Sequence, residues 1–151
     1  MKTRFLAPLL LVAALPATAD GVRASPANPV YTGECGSCHT AYPARLLSAP
    51  EWQVITSHLD KHFGVDATLD DKTLKQVSAY LTQNAAAQPR TAISGGRLPR
   101  ITESRWFQRE HDEIGASVWK RPAVKSPSNC GACHGNADQG VFSEHDVRIP
   151  R

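Results

Sequence analysis

Two short runs constrain this chain more than anything else in it: Cys35-Gly36-Ser37-Cys38-His39 and Cys130-Gly131-Ala132-Cys133-His134. Both are copies of one Cys-x-x-Cys-His pattern, and together they use all 4 cysteines of the 151 residues. This is the attachment pattern of c-type haem. The spacing has a chemical reason. One turn of chain sets both thiols along one edge of a porphyrin, where each adds to a vinyl group, and the adjacent histidine turns onto the iron as proximal ligand. The small residues between the cysteines let the backbone come close to the macrocycle. Four thiolates could instead share one structural zinc, and paired thiols could form disulfides or redox couples. Neither alternative requires a histidine directly after each pair. The expectation is therefore two covalently attached haem c groups.

The start of the chain agrees with that chemistry. Lys2 and Arg4 precede an apolar run, Phe5 to Leu15, and Ala17-Thr18-Ala19 is a small-x-small cleavage signature. Residues 1–19 read as a signal peptide, too short in their apolar run to span a bilayer. The formal charge of +3 falls to +1 once Lys2 and Arg4 are removed. Export and so small a charge argue against nucleic acid as a partner, and no later stretch is apolar enough for a transmembrane span. The expected location is the bacterial periplasm. Aromatic residues make up 7% of the chain, so core material is scarce, and a large cofactor is one way such a chain completes its interior.

Each iron needs, or lacks, a sixth ligand. The single methionine is Met1, in the leader, so His/Met ligation is not available. Of the 6 histidines, His39 and His134 are proximal, which leaves His58, His62, His111 and His145. Residues 50–63 read as a helix capped by Ser48 and closed by Gly64, with Trp52, Ile55, Leu59 and His62 on one face. His62 continues that apolar stripe and is favoured over its neighbour His58. Residues 104–114 read as a short helix capped by Ser104, with Phe107, His111 and Ile114 aligned. His111 is favoured over His145, which lies between Glu144 and Asp146 in a polar tail.

The expected fold is mostly α: a class I cytochrome c-like N-terminal haem unit over 20–87, a linker over 88–100 rich in Pro and Gly, and a smaller, irregular C-terminal haem unit over 101–151. Residues 20–30 read as loosely ordered. A third helix is predicted over 71–86, capped by Asp70 and burying Leu74, Val77 and Leu81. The second unit places its distal candidate before its CxxCH motif, so the halves are not a tandem repeat. Residues 20–84 carry 5 basic and 7 acidic residues, and residues 85–151 carry 10 and 7. Ionised haem propionates would turn the whole acidic while keeping the halves unlike, a dipole able to orient partners.

Several runs resemble one family: ECGSCHTAYP at 34–43, HFG at 62–64, WFQREHDEI at 106–114, VWKRP at 118–122, NCGACH at 129–134 and VRIP at 147–150. They are similar to the small bacterial dihaem cytochromes c that partner the sphaeroides haem protein, an oxygen-binding monohaem cytochrome c. The resemblance implies two bis-histidine haems, with His62 and His111 as distal ligands, and electron transfer in the periplasm. It also implies a membrane cytochrome b as donor. On this reading the protein is an electron carrier and not an enzyme. A small dihaem peroxidase, a nitrogen-oxide reductase or a gas sensor would need one haem with an open distal side.

Overall fold

A computed structural model describes residues 25–91 and 96–151. The leader at 1–19, the first part of the segment 20–30 and the middle of the linker lie outside the described residues. The described chain is helical: five short helices joined by 3-10 turns and irregular segments, with three isolated bridges and no strand among the described residues.

Helix α1 (Pro29–Gly36) begins within the segment expected to be loose. Asn28 caps it by accepting from the Tyr31 amide, and Pro29 occupies the first turn, where its missing N–H costs nothing. The helix carries Cys35 and stops before Cys38. Helix α2 (Ala49–Thr56) starts at Ser48 as expected, but the Ser48 amide and hydroxyl both donate to the Glu51 carboxylate. Helix α3 (Asp71–Gln83) starts at Asp70, whose carboxylate accepts from the Lys72 and Thr73 amides. These three helices, with Leu47 on the connecting chain, enclose the main core: Tyr31, Trp52, Ile55, Val77 and Leu81 are buried together. Full burial of side chains such as Leu81 or Val77 stabilises by about 1.5–3 kcal/mol each.

All three predicted helices are shorter than expected, two of them for the same physical reason. Helix α2 ends at Thr56, not at residue 63. The carbonyl of Val54, which the His58 amide would use in a continuing helix, accepts instead from the His58 ring Nδ1 at 2.9 Å. Ser57 Oγ donates to the same carbonyl. Side-chain bonds of this kind compete with the helical ladder. Helix α4 (Arg105–Glu110) ends likewise: the His111 ring Nδ1 donates at 2.9 Å to Phe107 O, the carbonyl its own amide would have used. Helix α4 is capped at Ser104 as predicted, by a bond from the Phe107 amide. Helix α3 stops three residues before the predicted 86 because the Ala86 amide leaves the helix to bond the Leu47 carbonyl.

The second half has less interior. Phe107, Val124 and Ala137 are its buried apolar residues, and Ile101 packs on the core of the first half. A short helix α5 (Ala116–Trp119), absent from the sequence reading, places Trp119 beside Phe107. The C-terminal segment is stitched back across the second motif. Arg148 N donates to Cys133 O at 2.9 Å, and Arg121 Nη1 donates to Pro150 O at 2.6 Å. No helix among the described residues is long and apolar enough to cross a membrane.

Candidate haem-binding sites

The first site is made by the loop after α1 and by the chain following α2. A 3-10 turn at Leu59–Lys61 redirects the backbone, and His62 emerges from it. Phe63 and Gly64 then adopt positive φ, +48° and +99°, a reversal that suits glycine at the second position. The turn brings the His62 ring opposite that of His39, with centroids 6.2 Å apart and planes within 19°. The His39 Nδ1 lies 2.7 Å from Thr40 O. A carbonyl only accepts, so this nitrogen carries a proton, and in the neutral ring Nε2 is the nitrogen available to a metal. Tyr42 stacks on His39 with centroids 4.9 Å apart.

The second site pairs His134 with His111, again with centroids 6.2 Å apart, but with planes turned by 76°. His111 Nδ1 donates to Phe107 O, so in the neutral ring Nε2 is the nitrogen available to a metal. Phe107 stacks on His111 at 4.1 Å, and Phe142 meets His134 edge-on at 5.4 Å. The pair opens on a cavity of about 290 Å³ lined by Trp119, Phe142, Val118, Cys130 and Cys133, among others. The sequence alone assigns no role to Trp119, which stands within the run at 118–122, or to Phe142, because neither belongs to a periodic apolar run.

The remaining two histidines stand apart. His58 is exposed, with its ring held on its own helix end. His145 is exposed on a 3-10 turn in the C-terminal segment.

The arrangement has the chemistry that haem iron requires. Two imidazoles on opposite sides of one metal put their centroids about 6 Å apart, given metal–nitrogen bonds of about 2 Å and about 1 Å from nitrogen to ring centre. Both pairs meet that spacing. Burial lowers the basicity of His62 and of His134, and the facing His39 and His111 act in the same direction. Neutral imidazole, the ligating form, is thereby favoured. The buried Nδ1 atoms of His62 and His134 have no hydrogen-bond partner among the described residues, one orphaned ring nitrogen in each pair. The cysteines do not gather as a zinc cage: no three metal-binding side chains converge among the described residues. None of the four is in a disulfide, and burial pushes the Cys35 and Cys130 thiols up to about 11.

Two CxxCH motifs, each with a second histidine facing the first at metal-spanning distance, define a c-type cytochrome with two haem sites. The comparisons with known proteins give the same class. Residues 31–142 match the family model for dihaem cytochrome c. A dihaem cytochrome c from Shewanella baltica superposes with a TM-score of 0.70 at 43% identity, over 80% of this chain and 91% of that one. A dihaem cytochrome c from Rhodobacter sphaeroides gives 0.68 at 38% identity, over 80% of this chain and 100% of its own. A second structure from Rhodobacter sphaeroides gives 0.66 at 41%, over 78% and 99%. No curated protein matches. The chain belongs to the dihaem cytochrome c family, carries two covalently bound c-type haems, and serves haem-based electron transfer.

Proposed function

We propose that the protein is a periplasmic electron carrier in which both irons are bis-histidine, His39 with His62 and His134 with His111. The observation that carries this reading is the 6.2 Å spacing repeated in both pairs. Thioether bonds at Cys35 and Cys38, and at Cys130 and Cys133, anchor the two groups, one in the unit 20–87 and one in the unit 101–151. Bound haem supplies a one-electron redox centre, and six-coordination leaves outer-sphere transfer as its task. The chain's own residues orient the ligands: Thr40 O and Phe107 O fix the ring tautomers of His39 and His111. A membrane cytochrome b as donor and an oxygen-binding monohaem cytochrome c as acceptor complete the reading, on the resemblance of the sequence runs.

Absorption spectra test it. Purified ferric and ferrous protein is expected to be low-spin at both haems and unchanged by carbon monoxide. A high-spin fraction, or ready carbon monoxide binding, would overturn the closed-site reading in favour of an enzyme or gas sensor.

A further inference from the structure

Tyr42 is a side chain that electron transfer between two haems gives a use, and the sequence reading passed it over. It lies three residues after His39, in Cys38-His39-Thr40-Ala41-Tyr42-Pro43. Its ring stacks on His39, centroids 4.9 Å apart and planes within 23°. Its hydroxyl crosses to the other half of the chain and donates to Ser128 O at 2.9 Å, two residues before Cys130. The side chain is held from behind as well. Its own carbonyl accepts from the buried Tyr31 hydroxyl at 2.6 Å, and Pro43 restricts the backbone at Tyr42 to extended conformations. A separate observation brings the two attachment loops together at the same place: a Cβ added at Gly131 would stand 4.0 Å from Thr40 Oγ1. Gly131 follows Cys130 and Thr40 follows His39.

We infer that Tyr42 is the positioning residue between the two haem sites, and that its ring and hydroxyl form the principal bonded path by which one electron passes between them. The path runs from the His39 imidazole across the stacked phenol ring, through the hydrogen bond to Ser128 O, and along two residues of backbone to the Cys130 thioether. One electron leaves one site and one arrives at the other. Tyr42 keeps its proton and its electrons throughout, so no further oxidant or reductant enters. The inference rests on the proposed ligation of His39.

The test uses the dihaem holoprotein and its Tyr42→Phe variant, which keeps the ring and removes the hydrogen bond. Tyr42→Leu removes the stacking too, and Tyr80→Phe removes a tyrosine hydrogen bond to Pro26 O that involves neither Tyr42 nor a CxxCH residue. Half-reduced protein is followed by exchange spectroscopy of the haem methyl resonances, which reads the intramolecular transfer rate, alongside both midpoint potentials. Exchange is expected to slow severalfold in Tyr42→Phe with potentials unmoved, to slow further in Tyr42→Leu, and to stay at the wild-type rate in Tyr80→Phe. Should Tyr42→Leu not fold, Tyr42→Phe decides alone. A wild-type rate in Tyr42→Phe overturns the inference, and so does equal slowing in Tyr80→Phe, which would mark general loosening. Failure of the ligand reading is seen separately, as a high-spin wild-type spectrum before any variant is made.

Discussion

His39 and His62 lie almost in parallel, their ring centroids 6.2 Å apart and their planes 19° from parallel, while the planes of His111 and His134 at the same distance are turned by 76°. Ligand-plane angle controls how the iron d orbitals split, so the two ferric haems are expected to differ in paramagnetic resonance. The first should give a rhombic low-spin signal and the second a strongly axial one with a larger maximal g value. Two identical rhombic signals would contradict the geometry.

Ligand substitution separates the four histidines that the motifs leave over. His62→Ala and His111→Ala are each expected to convert one haem to high spin and to open it to carbon monoxide. His58→Ala and His145→Ala, both at exposed positions, should leave the spectrum low-spin. Spin state is read from the ferric absorption and resonance spectra. Loss of the His58 ring does remove a bond to Val54 O, so a small stability change is expected there without a spectral one.

Glu51 predicts an acid-sensitive contact. Its side chain is fully buried, yet among the described residues no cation pairs with it. Burial alone would raise its carboxyl, but bonds from Ser48, Thr91 and Arg90 N outweigh that and hold it below the ordinary carboxylate range. The folded protein therefore binds fewer protons there than the unfolded chain does at moderately acid pH. Stability from this group is present above the unfolded carboxyl pKa of about 4.3 and is lost as pH falls through the lowered folded value. Glu51→Gln is expected to cost about 1–3 kcal/mol at neutral pH, since one of the two acceptor oxygens becomes an NH2 group facing buried donors. Thermal melts from pH 7 to 3 check both points, and the variant should show a flatter acid limb.

The C-terminal segment predicts an effect confined to one site. Arg121→Ala removes the charged donor to Pro150 O, a bond worth about 1.5–3 kcal/mol in comparable cases. Amide exchange is expected to quicken over 147–151 and around Cys133, whose carbonyl holds Arg148 N. Exchange at the first site, around His39, should not change.

The sequence placed the start of each predicted helix better than its end. Asp70 and Ser104 act at the expected N-termini because a side-chain acceptor one residue outside a helix is a local signal. The ends depended on longer reach, or on ring nitrogens taking a backbone carbonyl, which apolar periodicity does not register. His62 was favoured for lying on a helical stripe, yet no helix carries it. The structure sets it opposite His39 by a 3-10 turn and a reversal at Gly64. His111 also lies beyond its helix, though at the position where ring and carbonyl meet. The cysteine motifs were legible because they are contiguous. Tyr42, Trp119 and Phe142 were not, since their roles come from neighbours distant in sequence.

The uneven interior also bears on how the molecule matures. The first half has a connected core of its own, drawn from three helices, whereas the second half buries little beyond Phe107, Val124 and Ala137. Without its porphyrin the second half has little apolar interior to condense around. The first half can hold its shape and present Cys35 and Cys38 while the second is still open chain. Assembly is thus biased toward an order, first motif before second. An intermediate carrying one haem on Cys35 and Cys38 should outlast its counterpart carrying one on Cys130 and Cys133.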